Sequence, residues 1–269
     1  MKLRRYTSLG IITIFTLTLL TSCMAALPVV VAVTQDNPSP VNPQRAYIPA
    51  PIPRPDAHHW ITATAAILNY ENRSDHRTFD VSWDAMTRVQ TKWGLNNSWN
   101  IRTADDLRNQ ISRMETGGGH SRRFMEEVFA YQNLLYLYGE DHVLDFIAAQ
   151  EGEAAAITAA HTLYLADKWG DTGIIGWDLF RVGTLVSFGY VAELIDAEEA
   201  SLLMEQTIAM LVHYFTNWDD AVENYLDGFS WWASIDITSP GNQFLSRHEI
   251  YRQLQDIDGL FDDLMFGVR

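Results

Sequence analysis

Residues 173–192 form the stretch GIIGWDLFRVGTLVSFGYVA. Its only charged residues are Asp178 and Arg181, and every other position is apolar, Gly, Thr or Ser. A helix that is apolar nearly all round belongs in the interior, surrounded by other helices. Because charges are seldom buried unless they are paired, and residues three apart share a helix face, we expect Asp178 and Arg181 to meet. The stretch therefore predicts a central helix near residues 174–190.

The length of this stretch, 20 residues, also fits a membrane span. The charge pair, the four glycines and the amphipathic flanking segments favour the central helix of a globular domain instead. Further along the chain, apolar residues recur on one helical stripe, at Ala200, Met204, Ile208, Leu211 and Phe215. No segment alternates with period two for long enough to predict a sheet. We therefore predict an all-α fold, a single domain of about eight or nine packed helices around the central one.

Capping residues predict where several of these helices begin and end. Thr103, Asp196 and Ser246 stand where a side-chain oxygen accepts a hydrogen bond from the first turn, which predicts three helix starts. Gly139 and Gly170 follow apolar periodic segments, where glycine readily takes the backbone conformation that ends a helix. Five helix boundaries therefore follow from local residue chemistry.

The composition sets the broad class of protein. The chain has 269 residues, of which 47% are apolar and 12% aromatic, and its net charge is −15. This apolar content supports a folded core and excludes wholesale disorder. The acidic balance argues against nucleic-acid binding, which needs a dense Lys/Arg surface. A single cysteine excludes an internal disulfide, a thiolate zinc cluster and a CxxC redox pair.

Residues 1–22 have the parts of a secretory signal peptide, and they lead into Leu20-Thr21-Ser22-Cys23. This tetrapeptide resembles the bacterial lipobox, in which the signal is cut before the cysteine. The cysteine then carries a diacylglycerol thioether, and its new amine is acylated, typically with palmitate. The resemblance implies that Cys23 is a lipidation site and that the lipid anchors the chain to a membrane of the cell envelope. Met24 after the cysteine favours the outer membrane, if the cell has one.

Two other outcomes stay open for this N-terminal segment. An ordinary signal peptidase could cut near Ala25 or Ala26 and leave a secreted protein. Alternatively, residues 11–33 could remain as a single uncleaved membrane helix, since no charge lies between Arg5 and Asp36.

Proline usage marks a boundary after the signal peptide. Eight of the nine prolines lie before residue 56. We predict that residues 23–56 form a lipid-anchored, Pro-rich, extended tether, with an SH3-type ligand as the alternative interpretation of the prolines. Residues 57–269 then form the all-helical domain.

Several short motifs follow one another along this domain, namely Trp93-Gly94, Gly119-His120, Trp177-Asp178-Leu179-Phe180-Arg181, Gly189-Tyr190, Trp218, Asn224-Tyr225-Leu226-Asp227-Gly228 and Trp231-Trp232. This series resembles the bacterial family called domain of unknown function 1266. The resemblance covers roughly residues 93–232. One departure is Glu193, because the family leads us to expect a glycine soon after the Gly-Tyr pair. The family name carries no activity, so the resemblance supports the domain and leaves its chemistry open.

Asp178 and Arg181 are the candidate catalytic residues, together with His120 if the fold brings it near. The planar guanidinium of Arg181 can grip a carboxylate or a phosphate, with Asp178 orienting it or acting as a base. The other interpretation, which we favour, is a buried ion pair that sets helix register. Because the chain has no HExxH, GxSxG or phosphate-loop motif, no catalytic residue is assigned firmly.

Eight histidines raise the question of a metal site. None of them has the tight spacing that metal ligands usually show. Asp141-His142 with Asp145 is the best partial set, but acidic residues are also favoured at the start of a helix. We therefore predict neither a metal site nor a bound cofactor.

Aromatic residues supply most of the binding candidates. The nine tryptophans either pack in the core or stack on sugar rings, and most lie at helical spacing, where core packing is the commoner reason. The candidate binding residues are Trp177, Asp178, Arg181, Tyr190, Trp218 and Tyr225.

These observations predict a lipid-anchored cell-envelope protein that acts as a binding or interaction module. Its partner would be an envelope protein or a small ligand, and not a nucleic acid. The alternative is an enzyme of unfamiliar type, in which Arg181 clamps an anionic substrate and Asp178 or His120 acts as acid or base. An open cleft at these three residues would favour the enzyme, and a pair enclosed in the core would favour binding or scaffolding.

Overall fold

The computed structural model describes residues 56–72, 85–235, 241–257, 259–262 and 266. These ranges contain ten α-helices and a short 3-10 helix at Gly170–Thr172, and no strand. The helices are α1 Ala57–Glu71, α2 Ala85–Trp99, α3 Ala104–Glu115, α4 His120–Tyr138, α5 Glu140–Glu151, α6 Glu153–Trp169, α7 Ile175–Val191, α8 Ala197–Tyr214, α9 Trp218–Trp232 and α10 Gln243–Gln255. The predicted all-α, single-domain class is confirmed.

Helix α7 is the central helix that the sequence predicts. It packs mainly against α1, α8 and α9, and also against α2, α3 and α4. Fourteen of its 17 residues are buried, including Trp177, Asp178 and Phe180. Gly183 allows the close approach of α1, since a Cβ at this position would overlap the side chain of Thr64. The apolar character of α7 all round its axis is explained by neighbours on every side.

The predicted helix boundaries are mostly confirmed. Thr103 and Asp196 are N-caps whose side chains accept hydrogen bonds from the backbone N–H three residues later. Gly139 and Gly170 end α4 and α6 with positive φ angles of 80° and 51°. The predicted stripe on α8 is also confirmed, because all of its residues are buried, namely Ala200, Met204, Ile208, Leu211 and Phe215.

The predicted helix start at Ser246 is wrong. Helix α10 begins at Gln243, and Asn242 is its N-cap, with Oδ1 accepting from the backbone N–H of Leu245 at 2.9 Å. Asparagine caps helices as well as serine does, so the earlier residue takes this role. Ser246 lies inside the first turn and donates its hydroxyl to the Asn242 carbonyl at 3.3 Å.

Glu193, where the family resemblance leads us to expect a glycine, lies just after α7. Its φ angle is +55°, in the left-handed region that glycine adopts most easily. The carboxylate of Glu193 forms ion pairs with Arg88 and Lys92 of α2. The backbone at this position therefore explains why a glycine is expected here. The glutamate in this chain adds ion pairs to α2.

Two hydrophobic clusters divide the helices. The main core surrounds α7 and takes buried side chains from α1 to α4 and from α6 to α10. A second cluster consists of Val143, Ile147, Ala156 and Ala159, on α5 and the first half of α6. We call α5, the second half of α4 and the first half of α6 the α4–α6 lobe. The lobe therefore has a small core of its own.

The N-terminal predictions lie outside the described residues. They comprise the signal peptide at residues 1–22, the lipidation site Cys23 and almost the whole tether at residues 23–56. In the described ranges, no single helix is both long and apolar enough to cross a membrane. By length and composition alone, residues 153–172 and α7 could cross a membrane together. The two segments meet at an angle of 75°.

Candidate functional site

Asp178 lies fully buried in the first turn of α7 and binds the N-terminus of α4. Its Oδ1 accepts from the backbone N–H of His120 at 3.1 Å, and its Oδ2 accepts from the N–H and the hydroxyl of Ser121 at 2.8 and 2.6 Å. A carboxylate is stabilised here by the positive end of the helix dipole. The N-cap of α4 is Gly119, where a Cβ would overlap the Asp178 carboxylate. Asp178 therefore ties α7 to α4.

Arg181 lies one turn further along α7 and on the same face as Asp178. Its Nη1 is 3.5 Å from Asp178 Oδ1 and 2.6 Å from Nδ1 of His120. The guanidinium also stacks on two indole rings, at 4.4 Å from the centroid of Trp99 and 4.9 Å from that of Trp177. The structure thus brings together all three candidate catalytic residues, His120, Asp178 and Arg181. We call this group the His-Asp-Arg cluster.

The cluster is enclosed on one side and reaches the surface on the other. The side chain of Asp178 is 0% exposed, that of Arg181 is 14% exposed, and that of His120 is 28% exposed. Only the histidine and the edge of the arginine are therefore accessible to a ligand.

Electrostatics assigns the protonation states in the cluster. Burial by itself would raise the pKa of Asp178, but the nearby His120 side chain, the charge of Arg181 and the donors of Ser121 outweigh it and lower that pKa. Burial lowers the pKa of His120, and the charge of Arg181 adds to this against the opposing effect of Asp178. Because arginine can only donate, Nδ1 of a neutral His120 accepts and Nε2 carries the proton.

Aromatic rings surround the cluster. Trp177 stacks on Tyr225 at 5.4 Å and packs against Trp232, also at 5.4 Å between centroids. His120 meets Trp232 edge-on at 6.1 Å. Trp177 and Tyr225 are each 4% exposed, so both rings belong to the packed interior. Among the described residues, the buried indole N–H of Trp177 has no acceptor.

Two of the candidate binding residues lie apart from the cluster. Trp218 begins α9, whereas Trp232 ends it 14 residues later, a separation of about 21 Å along the helix axis. The Trp218 ring is 1% exposed and packs against Trp60 at 4.8 Å. Tyr190 is nine residues beyond Arg181 on α7, about 13 Å along that axis. A binding role for Trp218, Tyr190 and Tyr225 stays a prediction.

The histidines give no metal centre in the described part of the chain. There, no group of three or more His, Cys, Asp or Glu side chains is placed to hold a metal ion. His76 and the side chain of Asp141 lie outside the described residues.

Two contributors to the site are missed by reasoning from sequence. Trp99, at the end of α2, covers the Arg181 guanidinium. Asn224 of α9 is fully buried and accepts from the N–H of Gly176 at 2.7 Å while it donates to the carbonyl of Gly173 at 2.7 Å. Asn224 thus holds the start of α7 in place. Trp99 is 82 positions from Arg181, so no local spacing connects the two.

An open cleft adjoins the cluster. It lies between α4, α6 and the C-terminal end of α9, where the main core meets the α4–α6 lobe, and its volume is about 370 Å³. Its lining includes Arg123, Glu127, Tyr131, Thr158, Trp231 and Trp232. Trp232 belongs to both places, because it lines the cleft and contacts His120 and Trp177. We call this feature the α4/α6/α9 cleft.

Fold and site together define an all-helical protein whose central helix carries a buried aspartate bound to the N-terminus of a neighbouring helix. The chain belongs to the family described as "Protein of unknown function (DUF1266)", which it matches over residues 94–258. The match confirms the family resemblance. The matched range contains the His-Asp-Arg cluster and the residues that line the cleft.

One relative is "Uncharacterized protein YbeR" of Escherichia coli (strain K12). The two chains are 28% identical over 142 residues, which is 52% of this chain and 57% of YbeR. This chain therefore spans little more than half of that relative's length. No solved structure matches the chain.

Proposed function

We propose that this chain is a lipid-anchored protein of the cell envelope that acts by binding, and not by catalysis. The observation that carries the proposal is the state of Asp178. Its carboxylate is fully buried, and both of its oxygens accept hydrogen bonds from the N-terminus of α4.

A general base has to reach the proton that it abstracts, and its pKa should lie near the working pH. Asp178 is enclosed, and its pKa is held below the usual range of aspartate. Its interactions with α4 and Arg181 are those of a residue that joins helices. This supports the binding proposal over the alternative in which Arg181 clamps a substrate and Asp178 acts as the base.

The accessible part of the site suits recognition. His120 and the edge of Arg181 reach the surface, and Trp232 continues from them into the α4/α6/α9 cleft. Small-molecule sites are concave, with aromatic walls and a few polar groups that fix orientation. In this proposal the buried cluster keeps Trp232 and His120 in position, and the ligand occupies the cleft beside them.

A ligand panel tests the binding proposal. The full chain in detergent would be followed by tryptophan emission during heating, with nucleotides, sugars, peptidoglycan fragments, lipids and divalent metals with a chelator control. A ligand at a hundred times its Kd stabilises by about 2.7 kcal/mol, and each kcal/mol raises Tm by about 2–4 °C in a domain of this size. We expect one class to raise Tm.

A variant pair shows whether such a shift belongs to this site. Arg181→Lys removes the planar guanidinium that stacks on Trp99 and Trp177. Arg122→Lys changes a half-exposed arginine on α4 in the same way. We expect a folded Arg181→Lys protein to lose the ligand shift and Arg122→Lys to keep it. If no compound shifts Tm, or if a compound is turned over and His120→Ala abolishes that turnover, the proposal fails.

The lipid anchor is tested separately. The support for it is the tetrapeptide Leu20-Thr21-Ser22-Cys23 after a charged and apolar segment, with the only cysteine of the chain in the required place. Expression in bacteria with labelled palmitate should label the native chain and send it to the membrane fraction. Cys23→Ala should abolish the label. A native chain that stays unlabelled would refute the anchor.

A further inference from the structure

We infer that the α4/α6/α9 cleft binds a sugar ring of a neutral oligosaccharide, with Trp232 as the ring on which the sugar stacks. The inference rests on the proposed binding function and names the class of its ligand. Three features of the cleft carry it, namely its aromatic wall, its paired polar groups and its size.

The aromatic wall consists of Trp231, Trp232 and Tyr131. Trp231 is 6% exposed, and its indole N–H donates to the hydroxyl of Thr162 at 3.1 Å, so this ring is fixed in place. Trp232 is half-buried and is supported by Trp177 and Phe229, at 5.4 and 6.4 Å between centroids. A sugar ring has an apolar C–H face that packs on an aromatic ring, and a platform held in position loses little entropy on binding.

The polar groups of the cleft suit hydroxyls. Arg123 Nε lies 3.0 Å from Glu127 Oε1, so a donor and an acceptor stand side by side at the cleft. A sugar hydroxyl both donates and accepts, and it can therefore bind to such a pair. Because the two charges cancel, the pair favours a neutral ligand over an ion. The net charge of the chain, −15, further disfavours an anion.

The phenol of Tyr131 adds a donor. Burial raises its pKa, and the charge of Glu127 adds to the effect, so the hydroxyl keeps its proton at neutral pH. The volume of about 370 Å³ lies in the range of about 300–1,000 Å³ typical of small-molecule sites. The cleft thus has room for a sugar ring, an aromatic wall for its C–H face and polar groups for its hydroxyls.

The test uses calorimetric titration of the full chain with two neutral probes, the β-1,4-linked tetramer of N-acetylglucosamine and maltotetraose. Sorbitol, a polyol without a ring, is the control compound. We expect at least one oligosaccharide to bind and sorbitol not to bind. The preferred probe shows whether the sugar carries acetamido groups or only hydroxyls.

Two variants locate the binding in the cleft. Glu127→Ala removes the acceptor of the polar pair, and we expect it to weaken binding about tenfold, since a lost hydrogen bond to a charged group costs that order. Its matched control is Glu126→Ala, which breaks the neighbouring Arg122–Glu126 pair of α4. Neither residue of that pair is among those that line the cleft. Trp232→Leu should abolish binding, whereas Trp93→Leu, at an exposed tryptophan of α2, should leave it unchanged.

The outcomes separate this inference from the proposed function. If neither oligosaccharide binds, or if Glu127→Ala and Trp232→Leu proteins with unchanged circular dichroism bind as well as the native chain, the sugar inference is refuted. The proposed function then still stands if another compound of the ligand panel raises the Tm of the native chain and the Arg181→Lys protein loses that shift. If no compound of any class binds, both are refuted.

Discussion

The main core around α7 and the α4–α6 lobe are both helical, but they bury apolar side chains to different extents. The main core buries large aromatic and aliphatic side chains from nine of the ten described helices. In the lobe, the buried set consists of Val143, Ile147, Ala156 and Ala159. The lobe also leaves large apolar side chains exposed, namely Phe129, Tyr136, Leu137, Tyr138 and Ile157.

This difference has consequences for stability and for the site. A region with few buried apolar contacts opens locally at a lower free energy than the global unfolding of the domain. Helix α4 belongs to both regions, because Asp178 binds its N-terminus to α7 while its second half packs in the lobe. The cleft lies at the junction, so one of its walls is set by the main core and the other depends on the lobe.

The largest effect is expected for Asp178→Asn. The variant places an amide where two N–H groups and a hydroxyl now donate to a carboxylate, and it removes the negative charge beside Arg181. Breaking a buried ion pair from one side costs about 3–5 kcal/mol. Urea unfolding should show this loss across the whole domain. Asp145→Asn, at an exposed position of the lobe, should change stability by less than about 0.5 kcal/mol.

The next effect compares two truncations directly. Leu211→Ala opens a cavity in the main core and should cost about 2–5 kcal/mol of global stability, because Leu211 is 0% exposed. Ile147→Ala opens one in the lobe, where Ile147 is 3% exposed. In the Ile147→Ala protein, hydrogen exchange should speed up in α5 well before it does in α7. Equal acceleration in both helices would show that the lobe and the main core unfold as one unit.

A pH effect of intermediate size is expected from Glu115, which is half-buried at the end of α3. Burial raises its pKa to about 7, against the opposing hydrogen bond from the Thr207 hydroxyl, which donates at 2.7 Å. The folded state keeps the proton at pH values where the unfolded chain has lost it. Stability therefore falls as pH rises from about 4.5 to about 7, by up to about 3 kcal/mol.

Glu115→Gln removes this pH dependence. The amide keeps an oxygen that accepts from Thr207 and has no charge to bury. Urea unfolding should show equal stability of the two proteins near pH 4 and a more stable variant at pH 8. A variant that is no more stable at pH 8 would contradict the raised pKa.

The smallest effect is expected for Tyr136→Ser in the lobe. This ring is 90% exposed, and surface substitutions of this kind usually change stability by less than about 0.5 kcal/mol. Thermal unfolding at two protein concentrations measures it. A larger loss of Tm that grows with concentration would show that the ring packs against a second copy of the chain.

Local residue chemistry predicts a large part of the fold. The apolar residues of α7, the stripe of α8 and the caps at Thr103 and Asp196 are read from a few neighbouring positions, because helix periodicity and capping act within one or two turns. Ser246 shows the limit of this approach, since Asn242 and Ser246 lie four positions apart and both residue types can cap a helix. The ion pair of Asp178 with Arg181 is local in the same sense.

The rest of the site depends on contacts between distant residues. Asp178 binds His120 and Ser121, which lie 58 and 57 positions away, and Arg181 stacks on Trp99. The sequence names His120 as a candidate only on the condition that the fold brings it near. It contains no signal for the cleft, whose walls come from three helices.

Local residue patterns therefore sufficed to predict the all-α class, the central helix, four of the five helix boundaries, the family and the pairing of Asp178 with Arg181. Packing between distant helices was needed to show that Asp178 binds the N-terminus of α4, that Arg181 contacts two tryptophans and that Trp232 joins the cluster to a cleft. The physical reason is the range of the forces involved. Helix formation depends on neighbouring residues, whereas a site depends on which helix faces pack together, and no spacing along the chain encodes that packing.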